Sequence, residues 1–194
     1  MIQLYRVKNS NLLLRQNMSV HYSQPKGFVG RNLCYLVYDG STCYGSIVAG
    51  SAGMNLAGRD SYFGLTKQTK KAEIQRIANN VFFHIEKAHG KYPRNFAPKV
   101  LALFRERVAV EWEAKYGVPL LGFETLVELP RTGEIYLRDG WEQVGVTKGQ
   151  TCKRVAGTGT DTWTGKREWD TENLRPKLVL CRRLSLFPYP DVAV

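Results

Sequence analysis

Gly133-Glu134-Ile135-Tyr136-Leu137-Arg138-Asp139-Gly140-Trp141-Glu142-Gln143-Val144-Gly145 joins three local signals in succession. Ile135 to Arg138 forms a brief element, Asp139-Gly140 carries turn chemistry, and Trp141 to Val146 reads as a strand. Upstream, Leu120 to Val127 is another strand. Before it Val100, Phe104, Val108 and Trp112 recur at every fourth residue, the core stripe of a helix. Asn95 suits the N-cap of that helix, with Pro98 tolerated in its first turn, and Gly117 suits its C-cap. Val81 to Ile85 is a compact apolar run typical of a buried strand.

Further toward the N-terminus, Leu33 to Tyr38 and Cys43 to Ala49 flank the hairpin turn Asp39-Gly40-Ser41-Thr42. Cys34 and Cys43 are expected to face each other across that hairpin. Ile2 to Val7 reads as a short edge strand, followed by a polar stretch ending in the loop His21-Tyr22-Ser23-Gln24-Pro25-Lys26-Gly27. Gly53 to Arg59 reads as a short helix or a loop, and Lys70 to Ile77 as one or two helical turns. At the other end, Leu178 to Leu184 is a final strand behind Pro176. The polar residues 149–176, with Gly157, Gly159 and Gly165 among Thr, Lys and Arg, read as a flexible basic arm. A hairpin, a strand, a long helix and further strands give an α/β (α+β) fold. A single domain over residues 1–194 is expected, with a mixed sheet and a long central helix.

The 194 residues carry 28 Lys and Arg against 17 Asp and Glu, a net charge of +11. A pI near 9.6 on so small a domain favours a polyanionic partner, with nucleic acid first. Cys34, Cys43, Cys152 and Cys181 show no C-x-x-C spacing, which argues against a cysteine zinc site. Met1 to Val20 lacks the continuous apolar run of a secretory leader, and no stretch is long enough to span a bilayer. A cytoplasmic protein with reduced thiols and no membrane partner is therefore expected. An adenine methyltransferase would need an Asn/Asp-Pro-Pro-Tyr signature, of which Phe187-Pro188-Tyr189-Pro190 is only an echo.

The order of elements, and the segment 133–145 above all, is similar to the GNAT acyltransferase superfamily. There a helix carrying a tyrosine, a turn, an aromatic residue and a strand close the sheet in this way. The resemblance implies a GNAT-like mixed sheet. It also implies a glycine-rich turn before the long helix, whose bare amides hold the pyrophosphate of an acyl carrier. Here that turn is Lys91-Tyr92-Pro93-Arg94-Asn95-Phe96-Ala97-Pro98, with no glycine after Gly90 and two prolines that lack an amide hydrogen. Ordinary use of acetyl-CoA is therefore not expected.

A narrower likeness runs through His21-Tyr22 with Pro25-Lys26, Arg59-Asp60 before Tyr62-Phe63-Gly64, and Asn95 to Leu101. It continues through Trp112 with Lys115-Tyr116-Gly117, Phe123-Glu124-Thr125, Gly133 to Tyr136, Gly140-Trp141, Gly145 to Gly149 and Pro176-Lys177-Leu178. In this order the series resembles the phage Mom proteins and the related Druantia-type defence proteins. The resemblance implies a cytoplasmic enzyme acting on double-stranded DNA. Its product would be a carbamoylmethyl (acetamido) group on the N6 amine of adenine, shielding phage DNA from host restriction. The donor of that group is left unnamed. The resemblance also implies iron in place of acetyl-CoA.

On that reading His21, Tyr22 and Glu124 are the metal ligands, an imidazole, a phenolate and a carboxylate as in open non-haem sites. The other reading leaves His21 in a loop, Tyr22 in the core and Glu124 paired with an arginine. Tyr136 matches the position of the GNAT general-acid tyrosine, or is a core tyrosine with a satisfied hydroxyl. His21, Tyr22, Glu124 and Tyr136 are thus the catalytic candidates. Arg138 and Trp141 flank the same edge and would grip an adenine drawn out of the duplex, unless Trp141 is core. Lys148, Lys153, Arg154, Lys166 and Arg167, interleaved with Trp163 and Trp169, would contact phosphate and bases. Lys26 and Arg59 complete the set of DNA-binding candidates. The competing functions are a CoA-dependent N-acyltransferase and a non-catalytic DNA-binding defence protein.

Overall fold

The computed structural model describes residues 1–28, 30–53, 55–86, 92, 94–156 and 163–184, with 151–156 and 163–169 as backbone only. The chain opens with β1 (Ile2–Val7), α1 (Leu12–Val20), β2 (Asn32–Asp39) and β3 (Thr42–Ser51). Next come α2 (Ala57–Phe63), α3 (Lys70–Glu73) with a 3-10 turn at Ile74–Arg76, and β4 (Ile77–Ile85). The long helix α4 (Phe96–Tyr116) leads to β5 (Gly122–Glu128), α5 (Glu134–Arg138) and β6 (Glu142–Val146). Last are β7 (Thr151–Ala156), β8 (Trp163–Asp170) and β9 (Lys177–Arg183).

Seven strands form one sheet in the order β1-β2-β3-β4-β5-β9-β6. All neighbours are antiparallel except β4 and β5, which run parallel with α4 as the crossover. The expected mixed sheet with a long central helix is the fold observed. Helix α4 lies across one face because its stripe Val100, Phe104, Val108 and Trp112 is wholly buried there. It packs on Tyr35, Ile47, Ala78 and Phe123 from four different strands. On the opposite face α1 covers Cys34, Leu36, Val48 and Phe82 with Leu14 and Met18. Helix α2 meets β6 so closely that a Cβ on Gly58 would sit 2.1 Å from the Val144 carbonyl oxygen, a contact only glycine permits.

Several expectations need correction. The polar stretch after β1 contains α1, whose N-cap Asn11 accepts from the Leu14 N–H at 3.1 Å. Asn95 precedes α4 in the left-handed region at φ 55° and makes no capping bond with its side chain. Cys34 lies opposite Val48 and Cys43 opposite Tyr38, so the two thiols do not face each other. The stretch read as a flexible arm carries β7 and β8, paired in an antiparallel ribbon with Arg154 opposite Arg167. The Phe187-to-Pro190 echo, Gly157, Gly159, Gly90, Lys91 and Pro93 lie outside the described residues. No helix among the described residues is long and apolar enough to cross a membrane.

Candidate active site

The parallel pairing of β4 with β5 lasts only three residues, from Ile77 opposite Gly122 to Asn79 opposite Glu124. Beyond that point the strands part and leave a cavity of about 860 Å³, lined from both sides of the sheet. A bulge keeps β4 in step with β3, since Asn80 pairs with Ala49 and Phe82 with Val48, leaving Val81 extra. Were Val81 paired in regular alternation instead of bulged, Phe82 would turn from the α1 core to the α4 face.

Asn80 fixes the bulge. Its Nδ2 donates to the carbonyls of Val48 and Phe82, each at 3.1 Å, and its Oδ1 accepts from the Tyr136 hydroxyl at 2.7 Å. Tyr136 is 7% exposed and forms part of the cavity wall. Burial holds its phenol well above the ordinary range, opposed by a hydrogen bond with Thr125. The hydroxyl therefore stays protonated at neutral pH, the state of a proton donor. Its position is set from behind. Arg105 on α4 makes a bidentate bridge to Asp139 at 2.8 and 2.9 Å, and the Trp141 Nε1 donates to the same carboxylate at 2.8 Å.

On the α1 side the cavity is walled by aromatic rings. His21 lies 4.2 Å from Tyr22 and 4.8 Å from Phe82, and edge-on to His84 at 5.8 Å between ring centroids. The Arg131 guanidinium covers the Tyr22 ring at 3.5 Å, a cation–π contact that joins the loop after α1 to the loop after β5. His84 Nε2 meets Glu86 Oε1 at 3.1 Å, a carboxylate-oriented imidazole inside the cavity wall. Burial, with His84 and Arg131 next, lowers the His21 pKa from 6.5 to about 4. A depressed imidazole pKa means the unfolded chain binds the proton more readily. The resulting stability is complete above about pH 6.5 and is lost as pH falls toward about 4. A thermal-melt series across that window should show a flatter acid limb for His21→Phe than for the wild type; parallel limbs would contradict the assignment.

The structure separates the expected metal ligands. His21 and Tyr22 border the cavity, but Glu124 is fully buried and pairs its Oε2 with Arg59 Nη1, while its Oε1 accepts from the Gly53 N–H at 3.0 Å. Burial pushes the Glu124 carboxyl up, against the pull of Arg59. Burial likewise raises the Tyr22 phenol, and the His21 Nδ1 is turned to Ser23 Oγ at 2.8 Å. These three residues do not fit an iron site, and the described residues hold no cluster of three His, Cys, Asp or Glu arranged for one. The arginine partner allowed for Glu124 as the other reading is the one observed.

Two DNA-binding candidates also need correction. Arg59 is wholly buried, bridged to Asp60 at 2.7 Å as well as to Glu124, so it cannot reach a phosphate. Trp141 is 3% exposed and packs on Phe123 and Tyr136, so it cannot stack on a base. Arg138 is exposed at the cavity rim, where it bridges Glu134 at 2.5 Å. Lys26 and Lys148 are exposed on loops. Lys153 and Arg154 lie on β7, and Lys166 and Arg167 on β8. The sequence reading missed Asn79, Asn80, His84 and Arg131, all in the cavity wall. Asn79-Asn80 in the middle of a strand was the available signal, since asparagine is depleted in strands.

Comparison with known proteins follows the same lines. The structure of a GNAT acetyltransferase from Elizabethkingia anophelis with acetyl-CoA bound matches at TM-score 0.51 and 10% identity, over 94% of this chain and 98% of that one. A Bacillus subtilis acetyltransferase in complex with CoA matches at 0.54 and 12%, over 95% and 99%. The aminoglycoside 6'-N-acetyltransferase from Enterococcus faecium matches at 0.52 and 11%, over 98% and 99%. Identities this low show a shared fold. No curated protein matches the sequence. The family model described as Druantia protein DruA matches residues 1–152, most of the chain. The chain therefore belongs to the Druantia protein DruA family, built on the GNAT acetyltransferase fold.

Proposed function

We propose that this chain is a transferase that modifies the exocyclic amine of adenine in DNA, in the manner of the Mom proteins it resembles. The observation that carries the reading is the cleft between β4 and β5, open on both faces of the sheet with the protonated Tyr136 hydroxyl in its wall. A donor would enter from the α4 face, beside Phe83 and Tyr136, and the acceptor base from the aromatic α1 face. As the amine attacks the donor carbon, His84, oriented by Glu86, takes the amine proton and Tyr136 delivers a proton to the leaving group. The net charge of +11 favours the DNA backbone as the partner. The expected product is the carbamoylmethyl derivative. No iron takes part in this scheme, because Glu124 is engaged by Arg59.

Mass spectrometry of nucleosides from the DNA of cells expressing the chain should reveal a mass-shifted deoxyadenosine. An unmodified profile with soluble protein present would overturn the reading.

A CoA-dependent N-acyltransferase is the second reading, favoured by the fold shared with CoA-bound enzymes. Against it, the first turn of α4 offers a reduced diphosphate cradle: of its three free amides, at Phe96, Ala97 and residue 98, the last is a proline with no N–H. Calorimetric titration with acetyl-CoA separates the two, tight binding supporting the second.

The basic ribbon β7–β8 is the proposed phosphate contact. Neutralising Lys153, Arg154, Lys166 and Arg167 together should reduce the slope of log K against log salt by roughly 0.9 for each lost phosphate contact. An unchanged slope in a filter-binding series would exclude the ribbon.

A further inference from the structure

Asn79 and Asn80 are adjacent residues with opposite fates. Every strong hydrogen-bonding group of the Asn80 amide is engaged, by Val48, Phe82 and Tyr136. Asn79 is only 8% exposed, yet its Oδ1 is enclosed with no hydrogen-bond partner among the described residues. An enclosed acceptor left without a hydrogen bond is costly, so such a group in a native fold calls for a partner from outside. Asn79 stands at the apex of the cleft, the last residue of β4 to pair with β5, and it lines the cavity.

Its orientation follows from its neighbours. Ala78 belongs to the α4-side core, so alternation turns Asn79 to the opposite face. The extra residue Val81 then returns Phe82 to that same face, where its ring stacks with His84 at an interplanar angle of 26°. The α1 side of the cleft thus presents an amide whose oxygen has no partner among the described residues, in a cavity that His21, Tyr22 and His84 also line.

A primary amide offers an acceptor and a donor side by side. On the major-groove edge adenine's N6 amine and N7 match that pair, whereas guanine shows two acceptors there and cytosine's amine has no ring nitrogen beside it on that edge. We infer that Asn79 selects the reacting base, its Oδ1 accepting from the exocyclic amine of adenine and its Nδ2 donating to N7. This rests on the DNA-amine reading above and names the residue that would choose the substrate. The same contact holds the amine at the apex of the cleft, where β4 and β5 part beside Asn80 and Tyr136.

The test is binding, without turnover. Fluorescence anisotropy compares single-stranded oligonucleotides that differ at one central base: adenine, purine (no amine), guanine or cytosine. The wild type should prefer central adenine over purine and guanine by roughly tenfold or more, the discrimination of a bidentate base contact. Asn79→Ala should bring all four within about twofold of one another while keeping the phosphate-driven affinity. Its melting temperature should match or exceed that of the wild type, because the deleted group makes no hydrogen bond; a structural asparagine would lower it. Asn79→Asp, nearly isosteric, should also lose the preference, and it replaces the alanine variant if that one misfolds. No base preference in the wild type, no binding to any of the oligonucleotides, a preference kept by the variants, or cytosine bound as well as adenine would each overturn the inference. Adenine preference without any modified deoxyadenosine in cells would remove the catalytic reading and leave Asn79 as a base reader. Wild-type levels of modified deoxyadenosine from Asn79→Ala would do the reverse.

Discussion

Replacing Tyr136 by Phe is expected to cut the yield of modified nucleoside by roughly 100-fold or more, while the protein folds and binds DNA as before. The size of the loss is that of a general acid removed from a reacting centre, about 10²–10⁴-fold. Phenylalanine keeps the ring that packs on Phe83 and Trp141, so the wall of the cleft stays in place. Only the hydroxyl is lost, and with it the hydrogen bond to Asn80 Oδ1. An acceptor left unpaired there costs about 1–3 kcal/mol, which for a chain of this size lowers the melting temperature by roughly 2–4 °C per kcal/mol. Activity should therefore fall far more than stability. A Phe variant that keeps activity within a few fold would reduce Tyr136 to a core residue.

The largest stability effect is expected from Arg59→Met. Arg59 is wholly buried and holds three partners at once: Glu124 on β5, Asp60 beside it on α2, and the Gly53 carbonyl in the preceding loop at 2.7 Å. Removing the guanidinium leaves the Glu124 carboxylate buried without a counter-ion, a loss of about 3–5 kcal/mol, or on the order of 10 °C in melting temperature. Asp60 is spared, because Lys70 Nζ holds its other oxygen at 2.6 Å. The double variant Arg59→Met, Glu124→Leu should recover most of the loss, since an apolar pair of similar volume often replaces a buried ion pair without penalty. A single variant costing under about 1 kcal/mol, or a double variant no better than the single, would show that the pair is not the fastening it looks to be.

How far the sequence led depends on the kind of signal. The core stripe of α4 was readable because four apolar residues at spacing four face one environment, and all four are buried as expected. The hairpin was readable because Asp39-Gly40 is local turn chemistry. Helix α1 was missed because only two of its residues, Leu14 and Met18, are buried, and its exposed Leu12, Leu13 and Val20 blur the period. At the site, Tyr136 was found by its place in a recognisable segment. Its partner Asn80 was not, because the two are 56 residues apart and meet only through the parallel crossover. Glu124 and Arg59 were each singled out, but for separate roles. A buried carboxylate and a buried guanidinium 65 residues apart explain each other only once α2 is packed on the sheet.

The parting of β4 from β5 has one more consequence. A strand with a bonded edge on one side and a bare edge on the other ordinarily sits at the rim of a sheet, where it invites other chains to add on and polymerise. Here β4 occupies the middle position of seven strands, and side chains take up its edge where β5 departs: the Asn80 carbonyl accepts from Thr125 Oγ1 at 3.0 Å and the Ile85 carbonyl from the Tyr92 hydroxyl at 2.9 Å. The molecule can thus hold a cleft open in mid-sheet without leaving those acceptors bare for a strand from another copy.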